Sequence, residues 1–395
     1  MDSKKINLKE YDITEIVSLP QIAKIKNKWK QLVNNKKETN IYIDPDYFIK
    51  QFDSRAKGAI PHILLFQKND TPKALLIGWT KKQKVPCWLG YYKIETPLLN
   101  SLEIEIGGLV TDGTEEATEL LKTYLNSVLK NKEFELLLVD HISETNPLWQ
   151  SLINGDILNT KPIYKESIAW VSKIYDKETD TPNEIHSSKT KAKFRRKARR
   201  LLEQFDNKLE VKSLSSKDDM EFFIKNADII GRKSYQYAID VGIKDNDYWR
   251  NMLNSLVEGN FFRGYLLMNN DKPIAYSQGA IYKDYYYQFA TAYDPEYRKF
   301  SPGEYLRLEF TKELIEEKIG FIDYGYGDAD YKRMFGTHST KEATLRIYGK
   351  GLKTSFAKFL DKSTTLISEK LKSKLEKAGL FNKIKKMWRE KLSKK

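Results

Sequence analysis

Lys283–Gly336 reads KDYYYQFATAYDPEYRKFSPGEYLRLEFTKELIEEKIGFIDYGYGDADYKRMFG, and the order of its parts sets the fold. The aromatic run from Tyr285 to Thr291 has the composition of a β-strand. A loop containing Pro295 leads to Ser301-Pro302-Gly303, where a helical pattern opens that ends at Gly320. A short strand, FIDYG, and a turn rich in glycine and aspartate follow. A helix entered this way aims unpaired backbone N–H groups and the positive end of its dipole at the space beyond the strand, which suits a phosphate.

Outward from this stretch the second half of the chain is regular. Phe194, Ala198, Leu201, Leu202 and Phe205 fall at i, i+4, i+7, i+8 and i+11, so the segment KTKAKFRRKARR opens a helix with one apolar stripe and a basic opposite face. LEVKSL predicts a strand, residues 217–232 and 245–257 predict helices, and FFRGYLLMNN with DKPIAYSQGAIY predicts a hairpin turning at Asn269–Lys272. After Gly320 come the strand GFIDYG, a short helix near Asp330–Phe335 and the strand TLRIYG.

The first half repeats the plan. Ile22, Ile25, Trp29, Leu32 and Val33 recur at helical spacing after Pro20, and IPHILLFQ with ALLIGWT reads as a hairpin. LEIEIGGLV is a third strand, and Thr114 caps a helix that places Leu120, Leu121, Tyr124, Leu125, Val128 and Leu129 on one broad face. FELLLVD, a short helix around 147–153 and ESIAWVS complete it. Helices, an antiparallel hairpin and a strand leading into a helix thus occur twice, which predicts a mixed α/β layered architecture. The polar segment 174–187, with Pro182, marks the expected junction. The expected domains are 1–175, 188–351 and a tail, 352–395, of basic amphipathic helices. The tail's first pattern uses Phe356, Phe359, Leu360, Ile367, Leu371 and Leu375, and its second uses Phe381, Ile384, Trp388 and Leu392.

At 395 residues the chain is too long for one ordinary core. No run of 18 apolar residues occurs and the segment MDSKKINLKEYD has no apolar stretch, so neither a transmembrane helix nor a signal peptide is expected. A single cysteine, Cys87, excludes an internal disulfide framework and a cysteine metal cluster, and the four histidines lack ligand spacing, so no metal is expected. These features predict a cytoplasmic protein, with the lysine-rich tail as the means of membrane association through an anionic surface. The net charge is +14, but residues 189–200 supply +8 and residues 351–395 supply +10, which leaves −4 for the rest. Two local anionic contacts fit this better than a surface that coats nucleic acid.

Ser301, Gly303 and Tyr305 are candidates to hold a pyrophosphate through backbone N–H groups and the Ser301 hydroxyl, with Arg298 and Lys299 adding charge; the plain alternative is a Ser-Pro helix start. Asp323 lies at a strand end, and Asp328 and Lys332 are four apart, a spacing that shares a helix face. A carboxylate there accepts an amine proton and an ammonium steadies an oxyanion or a phosphate. The bland alternative is an exposed ion pair worth about 0.3 to 0.5 kcal/mol, with Asp323 capping a turn. Tyr324 and Tyr326, beside glycines, are candidates to line a cleft, whereas Tyr285, Tyr287 and Phe289 read as sheet core and His338 as structural. Arg195, Arg196, Arg199 and Arg200 are placed to bind a substrate phosphate, such as a nucleotide-sugar pyrophosphate, or an RNA backbone; the alternative is a solvated helix face.

KFRRKARRL before a strand, YDPEYRKFSPGEYL, FIDYGYGD and YKRMFG, with KWKQLVNNKKETNIYIDPDYFIKQF near the start, resemble in order and spacing the GNAT-related acyltransferases associated with cellulose or exopolysaccharide biosynthesis, and more distantly the FemAB peptidyltransferases. The resemblance covers roughly residues 20 to 350. It implies an α/β (α+β) fold of tandem GNAT-like domains with mixed, mostly antiparallel sheets flanked by helices. The second domain would carry acetyl-CoA or a longer acyl-CoA, or an aminoacyl-tRNA in the FemAB manner. Lys332 matches the lysine of the FemAB-type Phe/Tyr-Lys-x-x-Phe-Gly motif, and the basic helix would lie near the acceptor groove. The chain departs from the ordinary GNAT pyrophosphate loop, Arg/Gln-x-x-Gly-x-Gly/Ala, since Arg298–Gly303 reads RKFSPG. Three functions follow as expectations. One is acyl-CoA-dependent N-acyl transfer to an amino group of a sugar, nucleotide sugar or amino-acid-type acceptor, in cell-surface polysaccharide biosynthesis. The second is aminoacyl transfer from tRNA, the one case in which a nucleic acid is a partner. The third is a non-catalytic membrane-peripheral adaptor.

Overall fold

The computed structural model describes residues 7–34, 40–89, 92–233, 237, 242–380 and 387. They form two compact units, one of residues up to Ser167 joined by those from Thr340 to 380, the other of Ile168–Ser339.

In the first unit β1 (Asp12–Ile16), α1 (Lys26–Asn34) and α2 (Pro45–Arg55) precede the hairpin of β2 (Ile60–Lys68) and β3 (Thr71–Gln83). Asn69 and Asp70, both at positive φ, make its two-residue turn, a conformation that Asn and Asp adopt at little cost. A small hairpin, β4 (Pro86–Leu89) and β5 (Tyr92–Glu95), leads to β6 (Leu99–Thr111), α3 (Glu115–Lys130), β7 (Leu136–Ser143) and α4 (Trp149–Asn154). The sheet runs β1-β2-β3-β6-β7 and ends on a strand from far along the chain, β16 (His338–Tyr348). Among the described residues of this sheet, only β6 and β7 pair in parallel. The continuous apolar runs of β2 and β3 reflect cover on both faces. Leu64, Phe66 and Leu76 pack with Leu120 and Leu125 of α3, while Ile63, Leu65 and Ile77 pack with Trp29, Phe48 and Phe52.

The second unit opens within β8 (Ile163–Lys173) and a short pairing of β9 (Tyr175–Asp176) with β10 (Thr181–Pro182). Then come α5 (Ser188–Gln204), β11 (Leu209–Leu214), α6 (Lys217–Arg232), α7 (Asp247–Glu258), β12 (Phe262–Asn269), β13 (Lys272–Tyr282), β14 (Tyr285–Tyr293), α8 (Pro302–Glu316), β15 (Phe321–Tyr326) and α9 (Asp330–Phe335). Its sheet order is β8-β15-β14-β13-β12-β11, with β14 and β15 the parallel pair. Ser216 and Asp219 close a reciprocal cap at the start of α6.

The compact units are drawn differently from the expected ranges, and strand pairing is the reason. Ala169–Lys173 pair with β15, which takes residues 168–187 into the second unit, and Glu342–Tyr348 pair with β7, which takes residues 340–351 into the first. The first helix of the tail, α10 (Leu352–Lys377), packs along β4 and belongs to the first unit. The second tail pattern, Phe381, Ile384, Trp388 and Leu392, lies outside the described residues. Among the described residues no helix is long and apolar enough to cross a membrane.

Candidate active site

In the second unit β14 and β15 stay parallel for three rungs, Tyr285 with Phe321, Tyr286 with Ile322 and Tyr287 with Asp323, and then part. Past that rung β15 meets Ala169 of β8 through Tyr326, with an irregularity between. Strand β14 carries its own irregularity at Phe289, because Gln278 faces Ala290 while Gly279 faces Gln288. Gly279 is required there: a Cβ would lie 2.1 Å from the Tyr287 carbonyl oxygen.

Asp323 stands on the last rung. Its carboxylate accepts the Gly325 N–H at 2.6 Å, across a turn in which Gly325 takes φ +64°. Burial raises its pKa from an ordinary 3.8 to about 6, against the opposing effects of the Gly325 hydrogen bond and the Lys332 ammonium. Lys332, only 8 % exposed, donates to the carbonyls of Gly325 at 3.2 Å and Tyr326 at 2.7 Å. One turn therefore holds both a carboxyl whose pKa burial raises to about 6 and the Lys332 side chain.

Downstream of β14, α8 begins at Ser301, in the left-handed region at φ 56° and ψ 52°. Pro302 stands in the first turn and the Ser301 side chain makes no capping bond; the Ser301 carbonyl accepts from the N–H groups of Glu304 at 3.0 Å and Tyr305 at 3.2 Å. Arg298 and Lys299 are exposed. Glu304, in the first turn, is held by Lys197 of α5 at 2.6 and 2.9 Å. That pair, with Phe300, Ser301 and Tyr305, lines a small, shallow dent in the surface. A carboxylate at a helix start opposes a phosphate, and the Lys197 ammonium offsets it.

Residues 188–333 match the family model of the acetyltransferase (GNAT) domain. The match spans most of the second unit. The chain matches no curated protein in sequence. In fold it is similar to a tandem GNAT protein from the clavulanic acid biosynthesis pathway, with 9 % identity, 87 % of this chain and 99 % of that one covered, and a TM-score of 0.51. It is likewise similar to FemX, with 13 % identity, 85 % and 96 % covered, and a TM-score of 0.54. At these identities the likeness is one of fold, and the fold is that of tandem GNAT-like domains.

Within the second unit two expected groupings do not form. Asp328 and Lys332 share no helix face, since α9 begins at Asp330; Asp328 pairs instead with Arg333, which also holds Asp330. Tyr324 points inward and is buried, its ring edge-on to Tyr331, so it lines no open cleft; Tyr326, at the strand end, is exposed. On α5 the Phe194 ring stacks on Phe335 at 5.4 Å, while Arg195, Arg196 and Arg199 are exposed and none makes an ion pair among the described residues. Among the described residues no three His, Cys, Asp or Glu side chains come together as metal ligands.

Arg307 of α8 was not singled out by the sequence reading. It is 3 % exposed, with its guanidinium carbon 4.3 Å from the Tyr331 ring centre, 5.1 Å from Phe335 and 5.5 Å from Tyr324. Its Nη2 donates to Gln288 Oε1 at 3.2 Å, and Gln288 donates to Ser277 at 2.7 Å. The guanidinium thus braces α8 against β14, β15 and α9. The available signal was spacing: Arg307, Phe310 and Leu314 fall at i, i+3 and i+7 on the inward stripe.

Proposed function

We propose that this chain transfers an acyl group from acetyl-CoA or a longer acyl-CoA to an amino group of a sugar, nucleotide sugar or amino-acid-type acceptor. The observation that carries the reading is Asp323, a half-buried carboxyl with a pKa near 6 on the rung where β14 and β15 part. In the proposed reaction the amine nitrogen forms a bond to the thioester carbonyl carbon and the C–S bond breaks, so the sulfur leaves as a thiolate that takes its proton from solvent. Asp323, ionised above pH 6, accepts the proton that the amine loses. Lys332, fixed by two carbonyls, supplies positive charge close to that carboxyl and to the developing oxyanion. Arg298, Lys299, the Ser301 hydroxyl and the Gly303 N–H at the start of α8 hold the donor's pyrophosphate, and Arg195, Arg196 and Arg199 hold an acceptor phosphate. Tyr326, exposed at the strand end, lines the acceptor side. A role in cell-surface polysaccharide synthesis, with a nucleotide-linked sugar as acceptor, is consistent with that basic face.

Titration calorimetry with acetyl-CoA and a long-chain acyl-CoA tests the donor. Binding of either one is the expected result; failure of both overturns the reading. One observation favours a second reading, aminoacyl transfer from tRNA: the unpaired arginine face of α5 beside a helix start that departs from the usual pyrophosphate loop. Salt-sensitive tRNA binding lost in an Arg195→Glu/Arg199→Glu variant, with no acyl-CoA binding, would select it.

A further inference from the structure

Helix α10 is turned inside out for a helix on a globular unit. The residues it buries are small or polar, Thr354, Ala357, Asp361 and Thr364, while Leu352, Phe356, Phe359, Leu366 and Ile367 face solvent. At 3.6 residues per turn these two sets lie on opposite sides of the helix, each within an arc of about 100°. Leu352 is 94 % exposed and Phe359 68 %. The hydrophobic effect alone would rotate the helix to hide its phenylalanines.

A buried polar lock prevents that rotation. Arg346 of β16 grips Asp361 through Nε at 2.7 Å and Nη2 at 3.0 Å, and Tyr348 donates to the same carboxylate at 2.9 Å. Lys353 pairs with Glu135 at 2.8 Å, and Ser368 donates to the Trp88 carbonyl at 2.7 Å. The helix is therefore held with its apolar stripe outward. Beside it the β4–β5 hairpin exposes Trp88, Ile94 and Tyr92, the last at 79 %. Exposed aromatic and aliphatic side chains thus recur on two elements of one unit that pack together.

The charge around the stripe specifies what covers it. Leu352–Lys377 contains seven lysines and three acidic residues, and one of the acids, Asp361, is consumed by the buried lock. A second copy laid on this surface would set lysines against lysines. We infer that α10, with the β4–β5 hairpin, is an interfacial docking surface for an anionic lipid bilayer, with the apolar stripe entering the headgroup boundary and the flanking lysines meeting lipid phosphates. The helix lies in the interface plane, since no described helix is apolar enough to cross it. This surface belongs to the first unit and is independent of the acyl-transfer reading.

The test is flotation of the full chain with vesicles of phosphatidylcholine alone and of phosphatidylcholine containing phosphatidylglycerol. The unaltered chain is expected to bind the anionic vesicles and to lose them in high salt. Phe356→Ser/Phe359→Ser and Lys362→Glu/Lys370→Glu should each weaken binding by about tenfold or more. All four side chains are exposed, so thermal unfolding should be unchanged, and that measurement separates lost docking from lost folding. Absence of binding by the unaltered chain, or equal binding by both variants, overturns the inference. So does a concentration-dependent dimer in analytical ultracentrifugation that Phe356→Ser/Phe359→Ser abolishes, which would assign the stripe to a second copy.

Discussion

The two parallel strand pairs, β6–β7 in the first unit and β14–β15 in the second, share one plan and end differently. In the first, pairing stops at Ile104 opposite Val139, and the space beyond is filled by the unit itself. Asn40 donates to the Ile106 carbonyl at 3.3 Å, so closely that a Cβ on Gly107 would lie 2.3 Å from its amide nitrogen, and Arg55 pairs with the buried Glu105 at 2.7 Å. Helix α3 is closed as well: Thr114 accepts the Ala117 N–H at 3.2 Å, and Glu116 in the first turn is held by Lys68. In the second unit the last rung carries Asp323 where the first has Val139, and α8 starts on an uncapped, left-handed Ser301. Both starts carry a first-turn glutamate held by a lysine, but the first commits its Thr114 side chain to the cap, whereas the second, flanked by Arg298 and Lys299, leaves the Ser301 side chain out of the cap. Under the proposed acyl transfer, chemistry belongs to the second unit and scaffolding to the first.

The strongest way to break that assignment is Asp323→Asn. Under acyl transfer it should lower kcat/KM by about 10² to 10⁴ at pH 7.5, and the acid limb with its midpoint near 6 should vanish from the pH profile. The stability sign is opposite. The fold raises this pKa, so the native state holds the proton more tightly and the carboxyl's contribution to stability falls as pH climbs from about 4 through about 6. The variant should therefore melt a few degrees higher at pH 7.5 than the unaltered chain, to be read by calorimetry. Loss of stability together with activity would make Asp323 a structural group.

Lys332→Ala should cost about 10² to 10³ in kcat, with circular dichroism used to confirm that the fold persists. If kcat is untouched, the ammonium only ties together the Gly325–Tyr326 turn. Arg195→Glu/Arg199→Glu should raise the acceptor KM by about tenfold at low salt and less at high salt, leaving kcat nearly constant. An unchanged KM would make that helix face a solvated one.

The smallest effects sharpen the contrast between the helix starts. Thr114→Ala should lower unfolding free energy by about 1 kcal/mol in denaturant titration, because it removes a cap. Ser301→Ala should change it by less than about 0.5 kcal/mol, because no capping bond is lost. Equal losses at the two positions would mean that both starts are structural.

Much of the fold was legible because its signals are local. Aromatic alternation in Tyr285–Tyr293, the turn-forming Asn69-Asp70, the cap at Thr114 and the spacing of Phe194 and Leu201 all report on neighbouring residues. The site was legible in part. Asp323 was visible as a strand-end carboxylate, but its spacing gave no hint that it would be the more buried of the two aspartates. Asp328 looked like the partner of Lys332 because four residues separate them, yet the short α9 starts after Asp328 and hands it to Arg333. Tyr324 looked like a cleft residue beside glycines, while alternation along β15 turns it into the core with Arg307.

By itself the sequence determined the sequence-near properties: two repeats of helices, hairpin and crossover helix, the location of the basic segments, and the helix start at Ser301. Those follow from periodicity, capping chemistry and charge within a few turns of chain. Only the tertiary structure decided which strands close which sheet, where β14 and β15 part, which carboxyl is desolvated, and which side of α10 faces out. These depend on groups far apart in sequence, such as Arg346 and Asp361 or Asp323 and Lys332, whose electrostatics are set by the burial that folding creates.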